Sequence, residues 1–317
     1  MSEQIHTASD SPVTFKHRVE YVLFVCAGAF VRLFPPRFVH RIGAVFASIG
    51  YPILRSRRAV ALRNLRNAFP ERTDAERDAI ARESFRSVAT AFLEFLTFER
   101  LSPNDIRRLV RVENAEILTD VDRRHKGAIF LTAHFGNWEL AAAAIAVYSG
   151  RPLHVIVKRQ ANRLVDRTID RWRTKYGAQT VSMEHAPREV MRALGEAALV
   201  GLAADQAAAK ESTPVEFFGR MVPTFGGPAV FGLRMRVPLV LGLAVRQPDG
   251  TYVMHLREVP SSDLGEYSDE AVTELTRRHV RMTEEGIREH PGQWMWMHKR
   301  WKHVPDRPEF REAARNQ

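Results

Sequence analysis

Hydrophobic residues fall along this chain in two regimes. Up to about residue 56 they form long runs: every residue from Tyr21 to Val31 is apolar or small, and a second run, Phe38 to Leu54, is interrupted by His40, Arg41, Gly43 and Pro52. From Gly127 onward short apolar runs alternate with segments of helical period. The runs 128–132, 153–157, 179–181, 198–203, 239–245 and 252–257 read as strands, and 139–148, 163–176, 186–196, 229–235 and 272–289 as helices. Such alternation predicts an α/β fold, a mixed central sheet flanked by helices, with a final hairpin turning at Pro248-Asp249-Gly250. Between the regimes a helix begins at Thr73 or Asp74; Phe85, Val88, Phe92 and Phe95 fall at helical spacing and read as a core stripe, with helix continuing to Arg111.

The expected organisation is a disordered start over 1–17, a hydrophobic membrane anchor over 18–56, a packed helical region over 57–112, an α/β core over 113–305 and a flexible tail over 306–317. Met1 to Thr14 is polar and acidic and does not begin like a secretory signal. The first apolar run falls short of the roughly 20 residues that cross a hydrocarbon core. Three readings compete: a single span or deeply seated anchor, which we favour, an interfacial hairpin, and a buried core helix. Arg55, Arg57, Arg58, Arg63 and Arg66 follow at once, which favours a catalytic body on the cytoplasmic side, against anionic headgroups. A solvated helix face is the plain alternative.

With 317 residues and 45% hydrophobic content the chain can bury one large core. Its net charge of +10 favours an acidic partner: nucleic acid, an anionic membrane surface or an acidic carrier protein. No RRM, zinc or helix-turn-helix signature is present, so nucleic acid ranks below the other two. The single Cys26 rules out an intramolecular disulfide framework. Neither a Gly-x-Ser-x-Gly elbow nor a Cys/His cluster appears, so neither a covalent acyl-enzyme nor a metal or other cofactor is expected.

The stretch with chemistry is His134-Phe135-Gly136-Asn137-Trp138-Glu139, at the exit of the 128–132 strand. Gly136 and Asn137 suit a sharp turn and a helix N-cap, which puts Glu139 in the first helical turn. On a continuous helix five steps rotate by roughly 140°, so His134 and Glu139 would diverge. With His134 still in the turn they can converge, the carboxylate fixing the imidazole tautomer while His134 takes a proton from a hydroxyl. A buried, hydrogen-bonded histidine and a stabilising helix-start glutamate are an equally open reading of the spacing.

This His-x4-Glu block resembles the HX4(D/E) motif of glycerolipid-type acyltransferases. The chain more closely resembles the bacterial lipid A biosynthesis (lauroyl/myristoyl) acyltransferase family, from about Ala59 to Lys302. Six stretches in order carry the likeness: 64–70 (NLRNAFP), 134–139 (HFGNWE), 159–162 (RQAN), 204–206 (ADQ), 217–219 (FFG) and 293–300 (QWMWMHKR). HX4E alone is a weak signal; the ordered set is a strong one.

The resemblance places Arg159 at the site, where a cationic fork would hold a phosphate of acceptor or donor. Asp205 and Gln206 also follow a strand and would meet the same cleft, Asp205 orienting Arg159 or an acceptor hydroxyl, or else capping local backbone. Arg300 is read as facing substrate phosphate, Asn137 as a candidate oxyanion donor in competition with its capping role. Trp294 and Trp296 read as core or membrane-interface packing in a strand or extended segment with a basic end. Thr224 to Pro228 reads as a tight loop before a helix, not as a nucleotide-binding loop.

The resemblance therefore implies a membrane-associated acyltransferase using acyl-carrier protein, or acyl-CoA, as donor and a glycolipid hydroxyl as acceptor, a lipid A precursor first. A thioesterase using the same pair, acylation of another glycolipid such as a phosphatidylinositol mannoside, and a non-enzymatic lipid-binding protein are the alternatives. Acyl chain length is not legible in the sequence.

Overall fold

A computed structural model describes residues 13–34, 36–124, 127–308 and 310. Helix α1 (Phe15–Val31) opens with a capping box in which Thr14 and His17 satisfy each other's backbone N–H groups. Only Gly28 and Val31 of α1 are buried, while Phe15, Val22, Leu23 and Phe30 face outward. Helix α2 (Pro36–Ile53) is two-sided: Val39, Ala47 and Tyr51 are buried, and Val45, Phe46, Ile49 and Ile53 are exposed. Gly43 permits its close approach to the helix beneath, since a Cβ there would lie 2.4 Å from Thr90 Oγ1. Among the described residues no helix is long and apolar enough to cross a membrane. The region expected to anchor the chain forms a pair of helices with an outward apolar face, both carrying charged residues within them.

Helix α3 (Arg55–Ala68) and the long α4 (Asp74–Phe95), started by a Thr73/Glu76 capping box, lie under α2. Of the Phe85, Val88, Phe92, Phe95 stripe, three are buried as expected; Phe92 is 57% exposed and faces the central cavity. After α5 (Pro103–Leu109) comes strand β1 (Val110–Glu113), where helix was expected through Arg111. The alternation Val-Arg-Val-Glu buries Val110 and lets this short segment pair in parallel at the sheet edge.

Next in the chain are α6 (Glu116–Arg123), β2 (Ala128–Thr132), α7 (Trp138–Ser149), β3 (Leu153–Val157), α8 (Arg163–Thr174), β4 (Ala178–Ser182), α9 (Ala186–Gly195) and β5 (Leu199–Ala203). A hairpin, β6 (Thr213–Glu216) and β7 (Met221–Thr224), precedes α10 (Gly227–Met235), β8 (Leu239–Arg246), β9 (Tyr252–Glu258) and α11 (Asp269–Glu289). The main sheet has seven strands in the order β1-β9-β8-β2-β5-β3-β4. It is mixed because β8 and β9 form the expected antiparallel hairpin, turning with Gly250 at φ 89°, while β2 pairs in parallel with both β5 and β8.

The two faces of the sheet bury separate cores. On one lie α7 and side chains of α8, with Phe130, Leu153, Leu199 and Met254; on the other lie α9, α10 and α11, with Ile129, Leu131, Val200 and Leu241. The hairpin β6–β7 was not anticipated; its turn holds Phe218 (φ 55°) and Gly219 (φ 67°), with Phe217 and Phe218 buried in the second core.

The 293–302 segment is not a strand. A 3-10 turn (Pro291–Gln293) leads into an isolated bridge between Trp294 and Phe135, then turns. Trp294, Trp296 and Trp301 are all buried, which assigns the two expected tryptophans to core packing and not to a membrane interface. Asn64 holds the segment down, its Nδ2 donating to the carbonyls of Trp296 (2.7 Å) and His298 (2.6 Å).

Candidate functional site

The turn between β2 and α7 is built backbone first. Gly136 has φ +54°, donates its N–H to the Gln293 carbonyl at 2.9 Å, and would place a Cβ 2.0 Å from the Ala244 carbonyl oxygen, so only glycine fits. Asn137 caps α7, its Oδ1 accepting the Leu140 N–H at 3.0 Å, while its Nδ2 donates to Glu94 at 2.8 Å. Those two bonds engage the Asn137 amide in holding the turn. The His134 carbonyl accepts the Met295 N–H at 2.9 Å, tying the turn to the tryptophan segment.

Parallel pairing then chooses the partner of His134. Thr132 of β2 lies opposite Ala203 of β5, so His134 and Asp205, each two residues beyond, emerge side by side. Asp205 Oδ1 lies 2.8 Å from His134 Nδ1, and its Oδ2 accepts the backbone N–H of His134 at 3.0 Å and the Trp294 Nε1–H at 2.7 Å. With Nδ1–H donating to the carboxylate, Nε2 is the acceptor nitrogen, and the Gln206 amide donates to it at 3.1 Å. Burial opposes a charge on either group. Nevertheless the charge and hydrogen bond of Asp205, with Glu139's charge behind them, hold the His134 pKa above its ordinary value; the imidazole and Trp294 hold Asp205 below its own.

Glu139 takes a different place from the one its spacing suggested. Its carboxylate forms a bidentate pair with Arg173 of α8, Nε to Oε2 at 2.8 Å, and influences His134 only through its field. Arg159 pairs with Asp170 at 3.0 Å and Asp166 at 3.5 Å. Asn162 of the same stretch caps α8 and reaches α1, donating to the His17 carbonyl at 2.8 Å and Glu20 Oε2 at 3.0 Å. Arg300 is 2% exposed and turned inward, donating to the Pro223 carbonyl and Thr224 Oγ1; burial pushes its pKa down to about 10. So His134, Asp205 and Gln206 come together, Glu139 and Arg159 stand in neighbouring ion pairs, and Asn137 and Arg300 are embedded supports. Sequence reasoning missed Arg173, Glu94 and the Trp294 bond to Asp205, because each depends on packing between distant segments.

His134 opens on a cavity of about 760 Å³. Its walls are mainly apolar, with Phe92, Trp138, Ile145, Leu153 and Met254 among them, and Lys158 and Arg173 supply charge. That is the size and lining expected of a site for a mostly apolar ligand. Among the described residues no group of three or more His, Cys, Asp or Glu side chains could hold a metal ion.

Fold and site together define a mixed α/β protein in which a His–Asp pair at the end of a central strand faces an apolar cavity. The chain belongs to the bacterial lipid A biosynthesis acyltransferase family, which it matches over residues 11–303. It is 30% identical over 158 residues to the lipid A biosynthesis myristoyltransferase of Escherichia coli, a match spanning 50% of this chain and 48% of that protein. It is 23% identical over 266 residues to the lipid A biosynthesis palmitoleoyltransferase of the same organism (83% and 85%), and 23% over 274 residues to its lauroyltransferase (86% and 88%).

Proposed function

We propose that this protein is an O-acyltransferase that moves a fatty acyl group from a thioester, on acyl-carrier protein or coenzyme A, to a hydroxyl of a lipid A precursor. The observation that carries this reading is His134 held through Nδ1 by Asp205, with Nε2 beside the apolar cavity. An acceptor hydroxyl displaces the Gln206 amide and hydrogen-bonds to Nε2. His134 takes its proton as the new oxygen–carbon bond forms at the thioester carbonyl. The C–S bond then breaks, and the leaving thiolate recovers the proton from the imidazolium that Asp205 stabilises. In this reading the freed Gln206 amide donates to the oxyanion.

The same reading seats the protein on the cytoplasmic face of the inner membrane. The outward apolar residues of α1 and α2 suit an interfacial position, and the arginines of α3 suit anionic headgroups. The net charge of +10 is also suited to an acidic carrier protein. The test supplies acyl-carrier-protein and acyl-CoA thioesters with and without lipid A precursor. Acylated precursor is expected. Free fatty acid released at equal rate in both conditions would identify a thioesterase, and transfer to a phosphatidylinositol mannoside alone would move the acceptor.

A further inference from the structure

The cavity owes its volume to small residues on two facing surfaces. From above, α7 presents Ala141 and Ala142; from below, the sheet presents Gly201 on β5 and Gly242 on β8. Gly201 lies in register between Phe130 and Val155, on the face of Leu199, while Val200 and Leu202 pack into the opposite core. A glycine inside a strand weakens it and often marks a place where something else approaches the backbone.

The two glycines differ in what surrounds them. A Cβ at Gly242 would sit 3.0 Å from Leu256 Cδ2, so the Leu256 side chain would have to give way to it. At Gly201 the nearest atoms to a Cβ would all belong to the Leu153 side chain, at 3.4 to 3.6 Å, which is ordinary contact. Protein packing does not forbid a side chain there; the space that one would fill belongs to the cavity. Gly201 also precedes Asp205 by four residues, roughly 13 Å along the strand, a depth reached by the tail of a fatty acyl chain and not by its carbonyl end.

We propose that Gly201, with Leu153 beside it, forms the floor that sets which acyl chain lengths this protein accepts. The proposal rests on the acyl-transfer reading of the cavity, but binding alone tests it. Saturated fatty acids from decanoate to stearate are titrated against the full chain, following the thermal unfolding midpoint. Wild type should show its largest shift at one length. Gly201→Val, a residue suited to a strand, should move that optimum to a shorter chain. It should also weaken binding of the wild-type optimum about tenfold, the effect of losing about two buried methylenes. Leu153→Ala should move the optimum to a longer chain, and circular dichroism verifies that both variants fold. An unchanged optimum in both folded variants overturns the proposal, as does a wild type that responds to no chain. A protein that binds the series as expected yet transfers nothing would refute the enzymatic reading and leave the floor in place.

Discussion

Glu139 and Arg173 form a bidentate ion pair between α7 and α8, Nε to Oε2 at 2.8 Å, with both side chains less than a fifth exposed. Breaking such a pair from one side strands a charge in a poorly solvated place, whereas replacing both partners by neutral groups need not. Glu139→Ala should therefore cost about 3 kcal/mol of stability, the lower range for one-sided loss. The double variant Glu139→Gln, Arg173→Met should recover most of it. Urea unfolding of wild type and these two variants measures this. A Glu139→Ala protein as stable as wild type would show that the pair has no structural weight.

The raised pKa of His134 predicts the shape of the pH–rate profile. A general base must be neutral, so the rate of acyl transfer should rise with pH through the His134 midpoint, which Asp205 places above the ordinary 6.5. Asp205→Asn removes the charge that favours imidazolium, so the midpoint should move to lower pH even as the maximal rate falls. A midpoint shift in the opposite direction would mean that another group controls the acid limb.

His279 on α11 makes a separate prediction, about stability. Burial, helped by the charge of Arg300, depresses its pKa from 6.5 to about 4. The unfolded chain therefore binds a proton that the folded chain excludes between those two values, and stability from this group is lost as pH falls through that window. The full loss is about 3 kcal/mol. His279→Gln should flatten the pH dependence of the urea midpoint between pH 6.5 and pH 4. An unaltered slope would show that His279 already carries its proton when folded.

Trp294 donates its indole N–H to Asp205 Oδ2, one of three donors on that carboxylate. Trp294→Phe keeps an aromatic ring in the cluster and removes the donor. A loss of about 1 kcal/mol in positioning energy, typical of one hydrogen bond, would lower kcat by roughly fivefold with KM little changed. A change in KM alone would point to the cavity wall and not to the carboxylate.

Much of the sheet was legible because β2, β3, β5 and β8 are short apolar runs bounded by turn residues, and the Pro248-Asp249-Gly250 turn announces its hairpin. Edge strand β1 was not, since four residues of Val-Arg-Val-Glu fit the end of a helix as well as a strand. The site divides in the same way. His134 at a strand exit and Asp205 after another could be read, but their meeting could not. It depends on β2 and β5 being adjacent and parallel, with Thr132 opposite Ala203, and strand order is not written in local pattern. Glu139 was assigned to His134 on sequence proximity, whereas helical rotation turns it toward Arg173, whose relevance appears only when α8 packs. Arg300 looked like a phosphate ligand as a basic residue in a motif; the β6–β7 hairpin that buries it carried no clear signal.

The central claim is that the His134 imidazole, aligned by Asp205, deprotonates the acceptor hydroxyl. The direct measurement is the rate of acyl transfer from an acyl thioester to lipid A precursor for wild type, His134→Ala and Asp205→Asn, each shown to unfold at a temperature near that of wild type. Both variants should lose at least about 10²-fold, the lower range for removal or misalignment of a general base. A folded His134→Ala protein that transfers acyl groups at close to the wild-type rate would contradict the claim outright.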